Sequence, residues 1–426
     1  MKVKAVTLGC KVNAYETEFI LSKFKEKGYE IVLDDADIYI INTCSVTNTS
    51  DAKSRKVINK IVRENPKAIV VVMGCMIEAH KDYENRGVNI IIGNKDKSKV
   101  VELVEEYIKN QEKKKILYPD FDREFEDMFI PRMQSHTRAY VKIEDGCENF
   151  CSYCIIPYTR GRVRSKNPPK VIEEIKTLVK NGYQEVVLTG IHTGHFGSDI
   201  NTTFPELLND ICKIEGLKRL RISSIEITEL NDEFLNVLKN NKIIVNHMHI
   251  PLQSGSDTIL KLMNRKYLTE YYDLKIKKIR KIRPNISIST DIIVGFPGED
   301  EKLFLETYEF AKKLEFSKIH VFPFSVRKGT KAETMENQVK ENIKKERVKK
   351  LVELSNELEK KYMSKFLNKT MNVLIETNDG NTSVGHTENF LKVRVNEVLP
   401  SNTLVNVKIN SLNNLILEGE VYEEFK

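Results

Sequence analysis

Residues 139–154 read Ala139-Tyr140-Val141-Lys142-Ile143-Glu144-Asp145-Gly146-Cys147-Glu148-Asn149-Phe150-Cys151-Ser152-Tyr153-Cys154. The first five residues read as a short strand. The loop that follows carries three cysteines in the spacing C-x3-C-x2-C, and no fourth follows nearby. Thiolates packed this closely suit an iron–sulfur cluster. A cubane of four irons is normally held by four thiolates, so three leave one iron open. Zinc is the rival occupant, but structural zinc closes its shell with four ligands, commonly from paired CxxC units.

Strand and helix signals alternate downstream of this loop. Strands are expected near residues 139–143, 185–189, 219–224, 247–252, 287–294 and 318–324. A helix-like segment follows each, starting near Pro168, Phe204, Asn231, Ser256, Glu299 and Val339. Six such units predict a barrel or partial barrel with its active site at the C-terminal ends of the strands. The cysteine loop follows the first strand, at that end.

Upstream, Cys10, Cys44 and Cys75 share one local context. Residues 4–8, 38–41 and 69–73 are short apolar runs that lead into Gly9-Cys10, Asn42-Thr43-Cys44 and Gly74-Cys75. A fourth run covers 88–93, and helix-like segments such as 16–27 and 52–65 lie between. Apolar runs rich in β-branched residues, separated by helices, predict a parallel α/β sheet. Residues at the C-termini of its strands converge on one edge, where ligands bind. Three distant thiols at that position suggest a second cluster, again with an open iron. The plainer reading is three buried structural cysteines.

Residues 112–135 are polar and acidic, including Pro119, Asp120, Asp122, Glu124, Glu126 and Asp127, and read as a linker. From Thr370 short strands are expected near 371–376, 391–395, 403–410 and 415–422, which suggests a small OB-like β-barrel. The expected organisation is an α/β domain over 1–111, a linker over 112–135, a barrel over 136–369 and a β-barrel over 370–426.

The 426 residues are 40% hydrophobic and 30% charged, which fits a soluble chain of two or three domains. The longest clean apolar stretch, Ala68 to Ile77, is far short of a membrane span. The N-terminus runs into a strand and not into the apolar core of a signal peptide. Seven cysteines, an odd number, argue against a disulfide framework and for the cell interior, so a cytoplasmic protein is expected. Cys212 lies in an amphipathic helix and reads as core. The formal charge is +7, but its distribution is uneven. Residues 261–283 carry nine basic and two acidic side chains, whereas residues 370–426 carry four basic and eight acidic. Basic surface around a catalytic core suggests a polyanionic substrate.

The cysteine loop, with aromatic Tyr153 before its last cysteine, resembles the signature of the radical S-adenosylmethionine (SAM) superfamily. The whole chain resembles the methylthiotransferases. The strings that carry this are Gly9-Cys10-Lys11-Val12-Asn13, Asn42-Thr43-Cys44, Ser223-Ser224-Ile225-Glu226, Pro251-Leu252-Gln253-Ser254-Gly255 and Asp291-Ile292-Ile293-Val294-Gly295-Phe296-Pro297-Gly298-Glu299. The first string, followed by Tyr15-Glu16, is similar to the branch acting on threonylcarbamoyladenosine in tRNA. The terminal domain is similar to a TRAM domain, an RNA-binding module.

The resemblance implies two [4Fe-4S] clusters and SAM. Cys147, Cys151 and Cys154 would hold the radical-generating cluster, and Cys10, Cys44 and Cys75 the auxiliary one. Tyr153, Gly190, Ser224, Glu226, Gln253 and Asp291 would lie at the cofactor. Arg160, Arg162 and Arg164 are candidates for tRNA phosphates, or they simply solvate that surface. His192, His195, His247 and His249 have no spacing that requires a metal or acid–base role. Phe390 and Tyr422 are read as core or as stacking residues. An electron donor such as flavodoxin or ferredoxin is implied as a partner. The rival substrates are isopentenyladenosine in tRNA and a ribosomal protein. The rival from another class is a non-catalytic iron–sulfur RNA-binding protein, against which the missing fourth thiolate argues.

Overall fold

The fold was described from a computed structural model covering residues 1–118, 124–134 and 136–422. The linker residues Pro119, Asp120 and Asp122 fall outside the described residues. The first unit is a six-stranded parallel sheet. Its order is Glu30–Ile31, Lys2–Thr7, Ile38–Thr43, Ile69–Gly74, Ile90–Ile92 and Lys114–Ile116. The central strands Ile38–Thr43 and Ile69–Gly74 are buried along their whole length, as strands covered on both faces should be. Helices Lys11–Glu26, Asn48–Glu64 and Val100–Asn110 cover the sheet. Thr47 caps the second by accepting from the Ser50 amide at 3.1 Å.

The sheet departs from the expected boundaries at one edge. Lys114–Ile116 was expected to open the linker, yet it pairs in parallel with Ile90–Ile92. Its Lys-Lys-Ile pattern carries no apolar alternation, so only the free edge beside it makes it a strand.

The second unit holds six parallel strands in chain order. Ala139–Lys142, Glu185–Thr189 and Arg219–Ile222 form one sheet; His247–His249, Ser287–Val294 and Lys318–Pro323 form the other. Parallel bridges Leu220–Ile244 and Ser224–His249 join the two into a partial barrel. Helices begin at Pro168, Phe204, Asp232, Asp257, Glu301 and Glu341. Thr203 and Glu206 form a reciprocal cap at the second of these, and Asn231 and Asp300 cap the third and fifth.

The barrel interior is unusually polar. Tyr140, Val187 and Arg221 lie side by side across three strands and face an internal cavity. On the other half His249 pairs with Ser289, and Asp291 with His320. Such a lumen is not packed with layers of branched aliphatics as a closed eight-stranded barrel is.

Helix Glu341–Ser364 leads to a closed five-stranded barrel. Its order is Thr370–Asn378, Ser383–Thr387, Lys392–Val395, Ile416–Val421 and Leu404–Asn413. Strand Ser383–Thr387 has no apolar signature, and barrel closure alone recruits it. A separate core of Val373, Ile375, Val393, Val407, Ile409 and Leu417 packs on Tyr362 and Phe366. The small barrel docks on the N-terminal ends of the large barrel's strands. Arg219 donates to the Asn372 carbonyl at 2.7 Å and the His386 carbonyl at 3.2 Å. Phe390 seats there between the rings of His247 and His386, under the guanidinium groups of Arg138 and Arg221. It therefore floors the large barrel. Cys212 caps the helix Phe204–Ile211 and is partly buried against the main core.

Candidate active site

The Cys147 loop is held open by backbone contacts. Gly146 has φ +94°, and a Cβ there would lie 1.9 Å from the Arg162 carbonyl oxygen. Only glycine meets both demands. The Cys147 amide donates to the Gly161 carbonyl at 3.0 Å, and the Ser152 amide to the Met263 carbonyl at 3.1 Å. The Ser152 hydroxyl donates to the Leu262 carbonyl at 2.7 Å. The three thiols are neighbours: the electrostatic field at Cys147 includes Cys154 and Cys151. Burial pushes the Cys147 and Cys154 thiols up to about 12. Such thiols become thiolates only beside a strong positive charge such as a metal.

Side chains from distant elements meet this loop. Arg265 donates to Cys151 Sγ at 3.3 Å, and Glu226 holds the same guanidinium. Cys147 Sγ lies 3.6 Å from His192 Nδ1. The other nitrogen of His192 meets Glu229, which also faces His195 at 3.5 Å. The two imidazoles stack at 3.7 Å. Burial, then the neighbouring His192, pushes the His195 imidazole down to about 4, so it is neutral at pH 7. The histidines at 192 and 195 thus stand beside the cysteine loop, a placement that their spacing did not signal. Arg265 and Glu229 were not anticipated either.

Gly190 gives way to Glu144. A Cβ at Gly190 would lie 2.6 Å from Glu144 Oε2, which accepts from the His192 amide at 2.7 Å. Tyr153 packs edge-on against Phe296 at 6.3 Å. Ser224 and Glu226 follow the third strand, and Asp291 pairs with His249 at 3.1 Å. Gln253 has φ +64° and forms a bridge with Ile292. Gly190, Ser224, Glu226, Gln253 and Asp291 lie at or just beyond the C-terminal halves of barrel strands, on the side of the cysteine loop that carries Tyr153.

The second triad assembles at the C-terminal edge of the α/β sheet. Cys10 caps helix Lys11–Glu26, Cys75 opens the short helix Cys75–Ala79, and Cys44 follows strand Ile38–Thr43. Gly9 has φ +98°, and a Cβ there would lie 2.7 Å from Cys44 Cβ. Glycine therefore lets the Cys10 turn approach Cys44. Cys44 feels both Cys75 and Cys10, and burial pushes its thiol up to about 11. Cys75 Sγ accepts from Arg160 Nε at 3.4 Å and from Asn94 Nδ2 at 3.4 Å. All seven cysteines are free. Each triad thus offers soft thiols at one edge, with an arginine donating to one sulfur, and this donor set fits an iron–sulfur cluster.

Arg160 also corrects an expectation. It was a candidate for tRNA phosphate, but it is fully buried. Its guanidinium reaches Glu16 at 2.9 Å, Asp145 at 3.1 Å and Asn13 Oδ1 at 2.6 Å. Lys142 joins Glu16 at 3.0 Å and Asp145 at 2.6 Å, and Lys97 also joins Glu16. Burial alone would raise the Glu16 carboxyl; Arg160, Lys97 and Lys142 hold it well below the usual carboxylate range. Arg164 also faces Asp145 at 3.7 Å, so four cations face two carboxylates, and Arg160 turns its Nε to Cys75. Arg164 is likewise buried and donates to the Arg160 and Arg162 carbonyls at 2.9 and 3.1 Å. Of the three arginines only Arg162 reaches solvent, with its side chain 75% exposed.

A model of the radical SAM superfamily matches residues 141–311, and one described as uncharacterized protein family UPF0004 matches residues 2–93. The chain is 45% identical over 402 residues to the threonylcarbamoyladenosine tRNA methylthiotransferase MtaB of Bacillus subtilis, covering 91% of this chain and 88% of that protein. It is 37% identical over 431 residues to the tRNA-2-methylthio-N(6)-dimethylallyladenosine synthase of Clostridium novyi, covering 97% and 95%. The radical SAM methyltransferase TsrM of Kitasatospora setae, solved with cobalamin and a [4Fe-4S] cluster, shares the fold at 12% identity and a TM-score of 0.58, covering 78% of this chain and 74% of that one. Two cysteine triads in an α/β sheet and a partial barrel, with relatives this similar over nearly the full length, place the chain in the family of radical SAM methylthiotransferases.

Proposed function

We propose that this enzyme adds a methylthio group to carbon 2 of threonylcarbamoyladenosine at position 37 of tRNA, beside the anticodon. The observation that carries the chemistry is the pair of triads joined by one segment. Helix Ile156–Arg160 begins two residues after Cys154, and its last residue donates to Cys75. The substrate reading rests on Gly9-Cys10-Lys11-Val12-Asn13 and on the higher identity to the threonylcarbamoyl enzyme than to the dimethylallyl enzyme.

The cofactors are two [4Fe-4S] clusters and SAM, which when bound supply a carbon radical able to take hydrogen from an unreactive adenine C–H bond. Cys147, Cys151 and Cys154 hold one cluster; Cys10, Cys44 and Cys75 hold the other. Arg265 and Arg160 each stabilise charge on a ligand sulfur by a charge-assisted hydrogen bond. Glu226 fixes the Arg265 guanidinium, and Glu16 and Asp145 fix Arg160. His192, steered by Glu229 and by the carboxylate of Glu144, limits the room beside Cys147. Tyr153, Gly190, Ser224, Glu226, Gln253 and Asp291 form the rim on which SAM rests. Residues 1–116 serve as the auxiliary-cluster domain, 136–369 as the radical domain and 370–422 as a TRAM-like RNA-binding domain.

Among the described residues no helix is long and apolar enough to cross a membrane. We place the enzyme in the cytoplasm with its tRNA, reduced by a small protein such as flavodoxin or ferredoxin. The test is anaerobic turnover of the reconstituted enzyme on tRNAs carrying either modification, read by mass spectrometry of nucleosides. Methylthiolation of the threonylcarbamoyl form is expected. Activity confined to the isopentenyl form would overturn the substrate and leave the chemistry standing.

A further inference from the structure

A cavity of about 240 Å³ lies inside the barrel, between the Cys10 turn and the Phe390 floor. Lys11, one residue after Cys10, enters it from the α/β domain. Its side chain is solvent-accessible yet surrounded by protein, so it stands in a cavity and not on the outer surface. No hydrogen bond or ion pair engages Lys11 among the described residues.

Arg221 lines the same cavity and is only 3% exposed. Its Nε donates to Glu185 at 2.6 Å, but both terminal amino groups lack a partner. Ser223 Oγ and His247 Nδ1, on the same cavity, are also buried without partners. Buried polar groups are normally satisfied, and orphans gathered on one cavity point to a missing ligand.

The charge balance gives the sign of that ligand. Lys11, Arg138 and Arg221 are the three cations on the cavity wall. Arg221 pairs with Glu185 at 2.6 Å and Arg138 with Glu376 at 3.1 Å, and Glu185 is shared with Arg219 at 3.4 Å. Neither carboxylate lines the cavity. Buried positive charge without a counter-charge is costly, and an anion of matching shape removes that cost.

We propose that this cavity seats the carboxylate of the threonylcarbamoyl group, with Lys11 as its direct partner and Arg221 behind it. The proposal rests on the substrate reading given above and names the residues that enforce it. An isopentenyl group would leave Lys11 and the two terminal amino groups of Arg221 without a partner, so the same residues act against that substrate.

The experiment uses the holoenzyme and two anticodon stem-loop RNAs, one carrying threonylcarbamoyladenosine and the other its methyl ester, which keeps the shape but not the charge. The readout is the ratio of kcat/KM for acid over ester. A wild-type ratio of roughly ten to a hundred is expected, the range for hydrogen bonds to charged groups. It should fall toward one in Lys11→Gln and in Arg221→Gln and be restored in Lys11→Arg. Because each variant is its own reference, partial loss of clusters or of fold cancels. Where turnover is too slow, the ratio of the two binding constants by fluorescence anisotropy gives the same answer. A wild type that modifies the acid and ester equally, or an acid preference that persists in both glutamine variants, overturns the cavity assignment and leaves the substrate standing. A wild type inactive on both, but active on the isopentenyl RNA, overturns the substrate reading itself. A matching rise in KM for SAM without RNA would assign the cations to the methionyl carboxylate and overturn the proposal.

Discussion

The loop with Cys147, Cys151 and Cys154 spans eight residues, so its thiols are neighbours whatever the rest of the chain does. Cys10, Cys44 and Cys75 are spread over 66 residues and meet only because three parallel strands end at one edge. The first triad is a property of a segment; the second is a property of a topology. Each is completed by an arginine from elsewhere: Arg265, 114 residues from Cys151, and Arg160, 85 residues from Cys75. The local triad should therefore tolerate distortion of the sheet, whereas the distant one should fail whenever the strands or the domain boundary shift.

The largest effects come from deleting either triad. Replacing Cys147, Cys151 and Cys154 by Ala should abolish SAM cleavage and halve the iron from about eight per chain, two cubanes of four. Replacing Cys10, Cys44 and Cys75 should also halve the iron and abolish methylthiolation, yet leave 5′-deoxyadenosine production. Loss of all iron in either mutant would show that the two sites are not independent.

Arg160→Met is the next largest. It removes the hydrogen bonds to Glu16, Asp145, Asn13 and Cys75 from a dry interior, while Lys97, Lys142 and Arg164 still neutralise the two carboxylates, a loss of about 1–3 kcal/mol. The thermal midpoint should drop, and the auxiliary cluster should bleach first because Cys75 loses its donor. A midpoint equal to wild type would mean that the network does not brace the domain boundary.

Arg265→Gln tests the corresponding role at the local triad. The loop keeps its backbone anchors, so iron content should hold. Removing a cationic donor to a ligand sulfur should lower the reduction potential of that cluster, read by EPR-monitored titration. SAM cleavage should slow by roughly ten- to a hundredfold, the usual range for partners of metal ligands. An unchanged potential would demote Arg265 to a packing residue.

Arg162→Ala is the smallest. Its exposed side chain makes one weak pairing, with Glu148 at 3.9 Å. If it touches a tRNA phosphate, the salt dependence of binding should flatten by about one unit of slope, with fold and clusters intact. No change in slope would remove the last of the three arginines from the RNA surface.

Much of this was legible along the chain. Runs such as Ile69-Val70-Val71-Val72-Met73 permit little but a buried strand, and strands Glu185–Thr189 and Ser287–Val294 fall where their pattern puts them. Cysteine spacing and strand-end position marked both triads, because hydrophobic period and metal-ligand chemistry are local properties. Strands Lys114–Ile116 and Ser383–Thr387 were not legible, since a neighbour's unpaired edge recruits the first and closure of the small barrel the second. Nor was the fate of Arg160 and Arg164, which sit in a basic run that reads as surface until the α/β domain closes over it. The same holds for Arg265 beside Cys151, for Phe390 under the barrel and for the orphaned edge of Arg221 facing Lys11. Composition sets which side chains are available; only the packing of segments a hundred residues apart decides which charge meets a sulfur, which meets a carboxylate and which is left waiting for a ligand.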